Sequence, residues 1–234
     1  MDFEVCIDSV EGAVTASKIG AKRVELCAAL SEGGLTPSLA MIEASVNISS
    51  AEVFVMIRPS AGGFNYTENE LELMERDIRA ASSVGAHGVV FGVLNALNEV
   101  DIKANLFLME TALELNLGTT FHRAIDLSPD PVASIEGLIH LGFDRILTSG
   151  GAANAETGLK TIEKMVATAK GQIEIMAGAG IHAGNVLTIT QSGVGAVHFT
   201  AKKQVNEGLL LDMGPKYAVD DEKISAIAEM ISKV

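Results

Sequence analysis

Phe3-Glu4-Val5-Cys6-Ile7-Asp8, followed after a helix-length interval by Arg23-Val24-Glu25-Leu26-Cys27, alternates apolar and polar residues with a period of two. Successive strand residues point to opposite faces. Phe3, Val5, Ile7, Val24 and Leu26 therefore share one face, and Glu4, Cys6, Asp8, Glu25 and Cys27 share the other. The apolar set suits a covering layer of helices. The polar set would then line the interior of a closed parallel sheet, a lumen that Val, Ile and Leu usually fill.

The same unit recurs along the chain. Further strands are expected at Val53 to Arg58, Gly88 to Val93, Thr119 to Arg123, Arg145 to Ser149, Ile173 to Ala177 and Ala196 to Thr200. Helical spacing places helices near Val10 to Ile19, Ser38 to Val46, Glu70 to Val84, Ile102 to Leu115, Pro131 to Leu141, Ala155 to Ala169, Gly184 to Gln191 and Asp220 to Lys233. Gly20, Gly85, Gly142 and Gly193 each follow a helical pattern, where a left-handed cap is least costly on Gly. Eight βα units of roughly 29 residues point to a single-domain α/β fold, a (β/α)8 TIM barrel. Its core would run from about residue 3 to 201, with a C-terminal segment and final helix over 202–234. A doubly wound open sheet is the alternative, and it would leave two edge strands exposed.

Composition narrows the function. The chain has 234 residues, 48% of them hydrophobic, and a formal net charge of −13. Such a protein repels nucleic acid and anionic membranes over most of its surface. Two cysteines do not make a disulfide framework, and Met1-Asp2-Phe3-Glu4 lacks the basic start of a signal peptide. No apolar run approaches the ~20 residues that cross a bilayer. The expectation is a cytoplasmic protein without nucleic-acid or membrane partners.

Parity gathers further polar residues at one end of the barrel. Arg58, Thr120, His122, His198 and Thr200 face inward beside Glu25 and Cys27. Arg58 and Arg123 suit two-pronged grip of an anion, although Arg123 equally suits an ion pair with Asp126. His122 suits proton exchange, with Asp126 or Glu25 setting its tautomer. Glu4 and Arg58 also admit a purely structural ion pair. The turns Ser149-Gly150-Gly151 and Gly178-Ala179-Gly180 offer bare amides to a phosphate or carboxylate. Asp8 and His198 complete the candidate binding set. No lysine lies on the expected strands, which disfavours Schiff-base chemistry.

Cys6 and Cys27 lie on neighbouring strands and one face, with Met56 and Met176 nearby in the pattern. Sulfur donors prefer Cu(I), and imidazole from His122 or His198 would complete a site. Buried cysteines also serve as plain core filler.

Glu4-Val5-Cys6, Arg23-Val24-Glu25-Leu26-Cys27, Glu32-Gly33-Gly34-Leu35-Thr36-Pro37-Ser38, Met56-Ile57-Arg58-Pro59, Phe121-His122-Arg123-Ala124, Leu147-Thr148-Ser149-Gly150 and Met176-Ala177-Gly178-Ala179-Gly180 together resemble the CutC copper homeostasis family. The resemblance implies a cytoplasmic TIM barrel, a homo-oligomer (dimer or tetramer), and a role in copper homeostasis with Cu(I) at Cys6 and Cys27. It puts the family's polar mouth on Glu25, Arg58, His122, Arg123 and His198. The chain departs from the family pattern after Arg58-Pro59, where Ser60-Ala61-Gly62-Gly63-Phe64 replaces a second arginine and an aspartate. Two functional readings follow. One is a copper-binding protein. The other is an enzyme of a small anionic molecule, with Glu25, His122 and Asp126 as catalytic groups and Arg58 as the anion clamp.

Overall fold

Eight parallel strands hydrogen-bond in chain order and the last returns to the first, closing a barrel. The computed structural model describes residues 1–205 and 217–233. The strands are β1 (Asp2–Ile7), β2 (Arg23–Leu26), β3 (Glu52–Met56), β4 (Gly88–Phe91), β5 (Gly118–Phe121), β6 (Arg145–Thr148), β7 (Glu174–Gly178) and β8 (Ala196–Thr200). Between them run α1 (Val10–Ile19), α2 (Leu39–Ile48), α3 (Glu68–Ser83), α4 (Ile102–Glu114), α5 (Ser134–Leu141), α6 (Leu159–Ala169) and α7 (Val186–Thr190). A short antiparallel pair, β9 (Lys202–Gln204) and β10 (Tyr217–Val219), precedes α8 (Asp221–Ile231). Neither strand of that pair was expected. Residues 206–216, within the expected C-terminal segment, lie outside the described residues.

Local chemistry sets the boundaries. Ser9 caps α1 through its side chain, and Gly20 ends it in the left-handed region at φ 98°. Gly85, Gly142 and Gly193 adopt the same positive φ at their helix ends. Thr67 and Glu70 form a reciprocal capping box at the start of α3. Two helices begin later than their apolar spacing predicts, α5 at Ser134 instead of Pro131 and α6 at Leu159 instead of Ala155. Residues 131–133 and 155–158 form turns there. The seventh helix shrinks to five residues and begins six residues past Gly180. The ladder ends at Leu26, Met56 and Phe121, so Cys27, Arg58 and His122 stand just beyond the hydrogen-bonded strands.

The alternation sorts the side chains as the sequence predicts. Phe3, Val5, Ile7, Val24, Leu26, Val53, Val55 and Ile57 join the continuous core beneath the helices. Complete burial of one such side chain contributes about 1.5–3 kcal/mol. Inside the lumen, Cys6, Cys27, Phe54, Met56 and Val90 form one cluster and Leu147, Met176 and Ala196 another. Met176 was expected beside the cysteines; it packs in the second cluster, on β7, while Met56 stays with the sulfurs.

Phe54 fills the lower lumen because β4 and β5 present glycines to it. A Cβ on Gly88 would meet Phe54 Cε1 at 2.3 Å and the Gly118 carbonyl oxygen at 2.6 Å. Arg23 and Arg145 stack over the same ring, with their guanidinium carbons 6.0 and 5.4 Å from its centroid. Gly88→Ala is therefore expected to destabilise the protein by about 1–3 kcal/mol through overpacking. Urea unfolding measures this, and a variant as stable as wild type would show that Phe54 has room to move.

Candidate functional site

Strand register brings the charged lumen residues together. Across β1 and β8, Glu4 lies opposite His198, and across β1 and β2, Cys6 lies opposite Glu25. Glu4 is fully buried; its Oε2 accepts from Arg23 Nε at 3.1 Å and its Oε1 lies 2.8 Å from His198 Nδ1. Arg23 Nη2 also donates to Glu174 Oε1 at 3.2 Å. Glu174 in turn accepts from Arg145, whose Nη1 donates to Thr120 Oγ1 at 3.1 Å. The expected Glu4–Arg58 pair does not form, because Arg23 occupies that role from the floor of the lumen. Arg23 and Arg145 were missed by the sequence analysis. Both share the inward parity of Glu25 and Leu147, so the alternation already carried the signal.

Above this floor, His198 Nε2 lies 3.5 Å from Glu25 Oε2, and Cys6 Sγ lies 3.9 Å from Cys27 Sγ. Both cysteines are free and buried. Burial raises Glu25 well above the usual carboxylate range, and the neighbouring Cys6 and Glu4 charges add to this while His198 opposes it. The Cys27 hydrogen bond pulls Cys6 well below the usual thiol range, against burial and with help from His198 and Glu25. The same sulfur contact raises Cys27, as does its burial. For His198, burial favours the neutral ring, but Glu25, Cys6 and Glu4 outweigh it and raise the imidazole well above 6.5. Burial likewise opposes the charge on Glu4, and the His198 contact, with Arg23 and Arg145, brings it below 4.5. The cluster thus separates into two groups, with Cys6 and Glu4 lowered and Cys27, Glu25 and His198 raised. Glu25 Oε1 remains buried without a hydrogen-bond partner.

Gly34 seals one side of the sulfur pair. A Cβ there would lie 3.1 Å from Cys27 Sγ, and its φ of 91° further favours glycine. Access is from the other side, where Cys6, Glu25, Met56 and His198 form part of the wall of a cavity of about 480 Å³.

The groups at the rim differ from their expected roles. Arg58 was expected to clamp an anion, but Nη1 donates to the Glu32 and Gly34 carbonyls at 2.8 and 3.0 Å and Nη2 to the Gly62 carbonyl at 2.8 Å. It clasps two loops. His122 was expected to pair with Glu25 or Asp126, yet neither hydrogen-bonds to it. Its Nδ1 accepts the Ala124 backbone N–H at 3.3 Å, which puts the neutral ring's proton on Nε2, a buried atom without a partner. The ring packs on Phe64 at 4.6 Å.

Asp126 is held elsewhere. It accepts from Thr148 Oγ1 at 2.6 Å, from the Ser149 and Gly151 amides at 3.0 Å each, from Ser149 Oγ at 2.8 Å, and from Arg123 Nε at 2.8 Å. The Gly150-Gly151 turn thus encloses the chain's own carboxylate, while the Gly150 amide donates to Thr148 Oγ1 at 2.8 Å. Ser149 Oγ also accepts from Arg123 Nη2 at 2.9 Å, so Arg123 and Asp126 form the ion pair anticipated as the alternative. Gly180 lies on the cavity wall. Gly178 lies beneath it, where a Cβ would come 2.6 Å from Leu147. Asp8, just past the end of β1, lies outside the wall.

The profile of the CutC family matches residues 1–203, which carry the entire closed barrel and its sulfur pair. The chain belongs to the CutC family. A CutC family protein of Glaesserella parasuis serovar 5 is 44% identical over 205 residues, covering 87% of this chain and 84% of the relative. The human copper homeostasis protein cutC homolog is 44% identical over 208 residues, covering 88% and 76%. The crystal structure of the putative copper homeostasis protein CutC from Streptococcus agalactiae superposes with a TM-score of 0.78 at 35% identity, covering 85% of this chain and 98% of that one. The CutC match stops before β10 and α8, which lie outside it.

The His122 environment has a measurable consequence. Burial, reinforced by the Arg58 charge, lowers this imidazole from 6.5 to about 3. Between those values the unfolded chain binds a proton that the folded one excludes, so stability falls as pH is lowered through that window. The slope from this residue approaches about 1.4 kcal/mol per pH unit. Urea unfolding from pH 7 to pH 4 should show His122→Gln losing less stability than wild type; equal losses would mean that the folded ring is protonated over that range.

Proposed function

We infer that this CutC-family protein serves copper homeostasis by holding Cu(I) between Cys6 and Cys27. The observation that carries this reading is the sulfur pair itself, 3.9 Å apart at the end of a lumen in which the Cys27 contact lowers Cys6 below the usual thiol range. Thiolates are soft ligands that select Cu(I). Two metal–sulfur bonds of about 2.3 Å, the length found with zinc, span that separation with a bend that leaves the ion open to a third donor. Glu25, whose ligand oxygen lies within 4.8 Å of both sulfurs, and the Met56 thioether in the same lumen cluster are the neighbours suited to that place. His198 and Glu4 hold the charge pattern beneath. Binding would release the Cys27 proton, so affinity should rise with pH.

Supporting the cytoplasmic part of this reading are the two unpaired thiols, which suit a reducing compartment. No helix among the described residues is long and apolar enough to cross a membrane. Supporting the homo-oligomeric part is an exposed apolar face on α4, where Ile102, Leu106, Phe107 and Leu113 are each 41–56% accessible.

Titration of the reduced protein with Cu(I) against a competing chelator tests the reading. Wild type should bind one equivalent. Cys6→Ser, Cys27→Ser and the double variant should each weaken binding by more than the about 10- to 100-fold that removal of a supporting neighbour costs. Equal affinity in wild type and the double variant would exclude the sulfur site.

A further inference from the structure

The mouth of the cavity is positive on a chain whose formal net charge is −13. Arg58, Arg123, Lys202 and Lys223 all reach its wall. Asp126 is the carboxylate at that level, and Arg123 together with the Ser149 and Gly151 donors already surrounds it. Lys202 rests on the Tyr217 ring at 4.5 Å, and Lys223 pairs with no carboxylate among the described residues. Beneath the cavity, Glu4 is paired with Arg23 and His198. Among the described residues that line the mouth, positive side chains therefore outnumber negative ones, and a low-dielectric cleft focuses such a field.

A second observation is independent of charge. His122 is 3% accessible and on the cavity wall, and its Nε2 hydrogen has no acceptor. Leaving a buried donor unpaired is costly, which makes it a mark of a missing partner. Beside the polar Glu25, His198 and Thr200, the wall has an apolar stretch of Phe64, Leu127, Leu147 and Ile181, and about 480 Å³ is a volume suited to a small organic ligand. An isolated inorganic ion would leave those walls without contacts.

We propose that this cavity binds a small organic anion, a carboxylate- or phosphate-bearing molecule that accepts the His122 Nε2 hydrogen bond within a collar formed by Arg123, Lys202 and Lys223. The collar is a joint product of the barrel and the C-terminal segment. Lys223 comes from α8, beyond the family match, so that helix supplies part of this site. Arg58 contributes charge from behind while its Nη atoms hold the loops. The ligand's anionic group lies near His122, and its carbon body lies against Phe64 and Leu147.

NMR titration of the reduced, metal-free, full-length protein tests this, with succinate and glycerol 3-phosphate as the two anionic probes and glycerol as the uncharged control. At least one anion is expected to give saturable shifts at the Arg123, Ala124, Gly180 and Lys223 amides, with none from glycerol. The anion that binds more tightly identifies the carboxylate or the phosphate as the recognised group. His122→Leu should weaken that binding about tenfold, the effect of losing one hydrogen bond to a charged ligand. The double variant Lys202→Glu with Lys223→Glu, at surface positions that leave the barrel intact, should weaken it at least as much, and added salt should do the same in wild type. Failure of both anions to saturate the cavity amides, or an affinity that neither variant changes, would overturn the proposal. Cys6 lies on the same cavity wall but is not among the proposed contacts, so anion binding that persists in the Cys6→Ser, Cys27→Ser double variant, or copper binding without anion binding, separates this proposal from the copper reading.

Discussion

Glu4 is a carboxylate with no accessible surface in the middle of a closed barrel, and much of the polar interior follows from keeping it charged. An isolated buried charge is so costly that it would be neutralised or drive unfolding. Here Arg23 and His198 each approach one of its oxygens, and Arg23 is itself fixed through Glu174 to Arg145. This network ties β1, β2, β6, β7 and β8 to one another beneath the mouth. A barrel built for stability alone would fill the same volume with aliphatic side chains, which lose nothing on leaving water.

The same cluster reaches the sulfurs. Glu25, Cys6 and Glu4 together raise His198 against its burial, and the Cys27 hydrogen bond, helped by His198, lowers Cys6. The Cys6 contact and burial raise Cys27, and burial with the Cys6 charge raises Glu25. The two cysteines are thus chemically different although they lie side by side. His122, at the mouth, makes no hydrogen bond to this network. Burial and the Arg58 charge lower it, so the lumen and the mouth carry two histidines shifted in opposite directions.

Loops complete the mouth, and their own hydrogen-bonding needs decide which polar groups face the cavity. Arg58 satisfies three carbonyls, and Asp126 satisfies the amides of the turn after β6. Each looked like a ligand contact in the sequence because a charged residue at a strand end offers no sign of whether the chain itself already supplies its partner. His122 is the converse case. Its partner among catalytic groups was expected and is absent, and its unpaired nitrogen becomes visible only when every neighbouring atom is in place.

The linear chain already specifies the barrel, the inward and outward faces, and the gathering of Glu25, Cys27, Arg58, His122 and His198 at one end above Glu4 and Cys6, while Asp8, expected at the same mouth, lies outside the cavity wall. It does so because the alternation of period two, the glycine caps and the short βα connections are local properties. The same alternation gives Arg23 and Arg145 inward parity, but neither was among the expected lumen residues, and their pairing with Glu4 and Glu174 could not be read from it. Tertiary structure alone decided which charges meet, since ion pairs join strands as far apart as β2 and β7, and register and barrel closure set those distances. It also decided that α8 brings Lys223 to the opposite end of the chain's order, beside loops that follow β3 and β5. No spacing in a linear sequence encodes that contact, because it depends on the ring having closed.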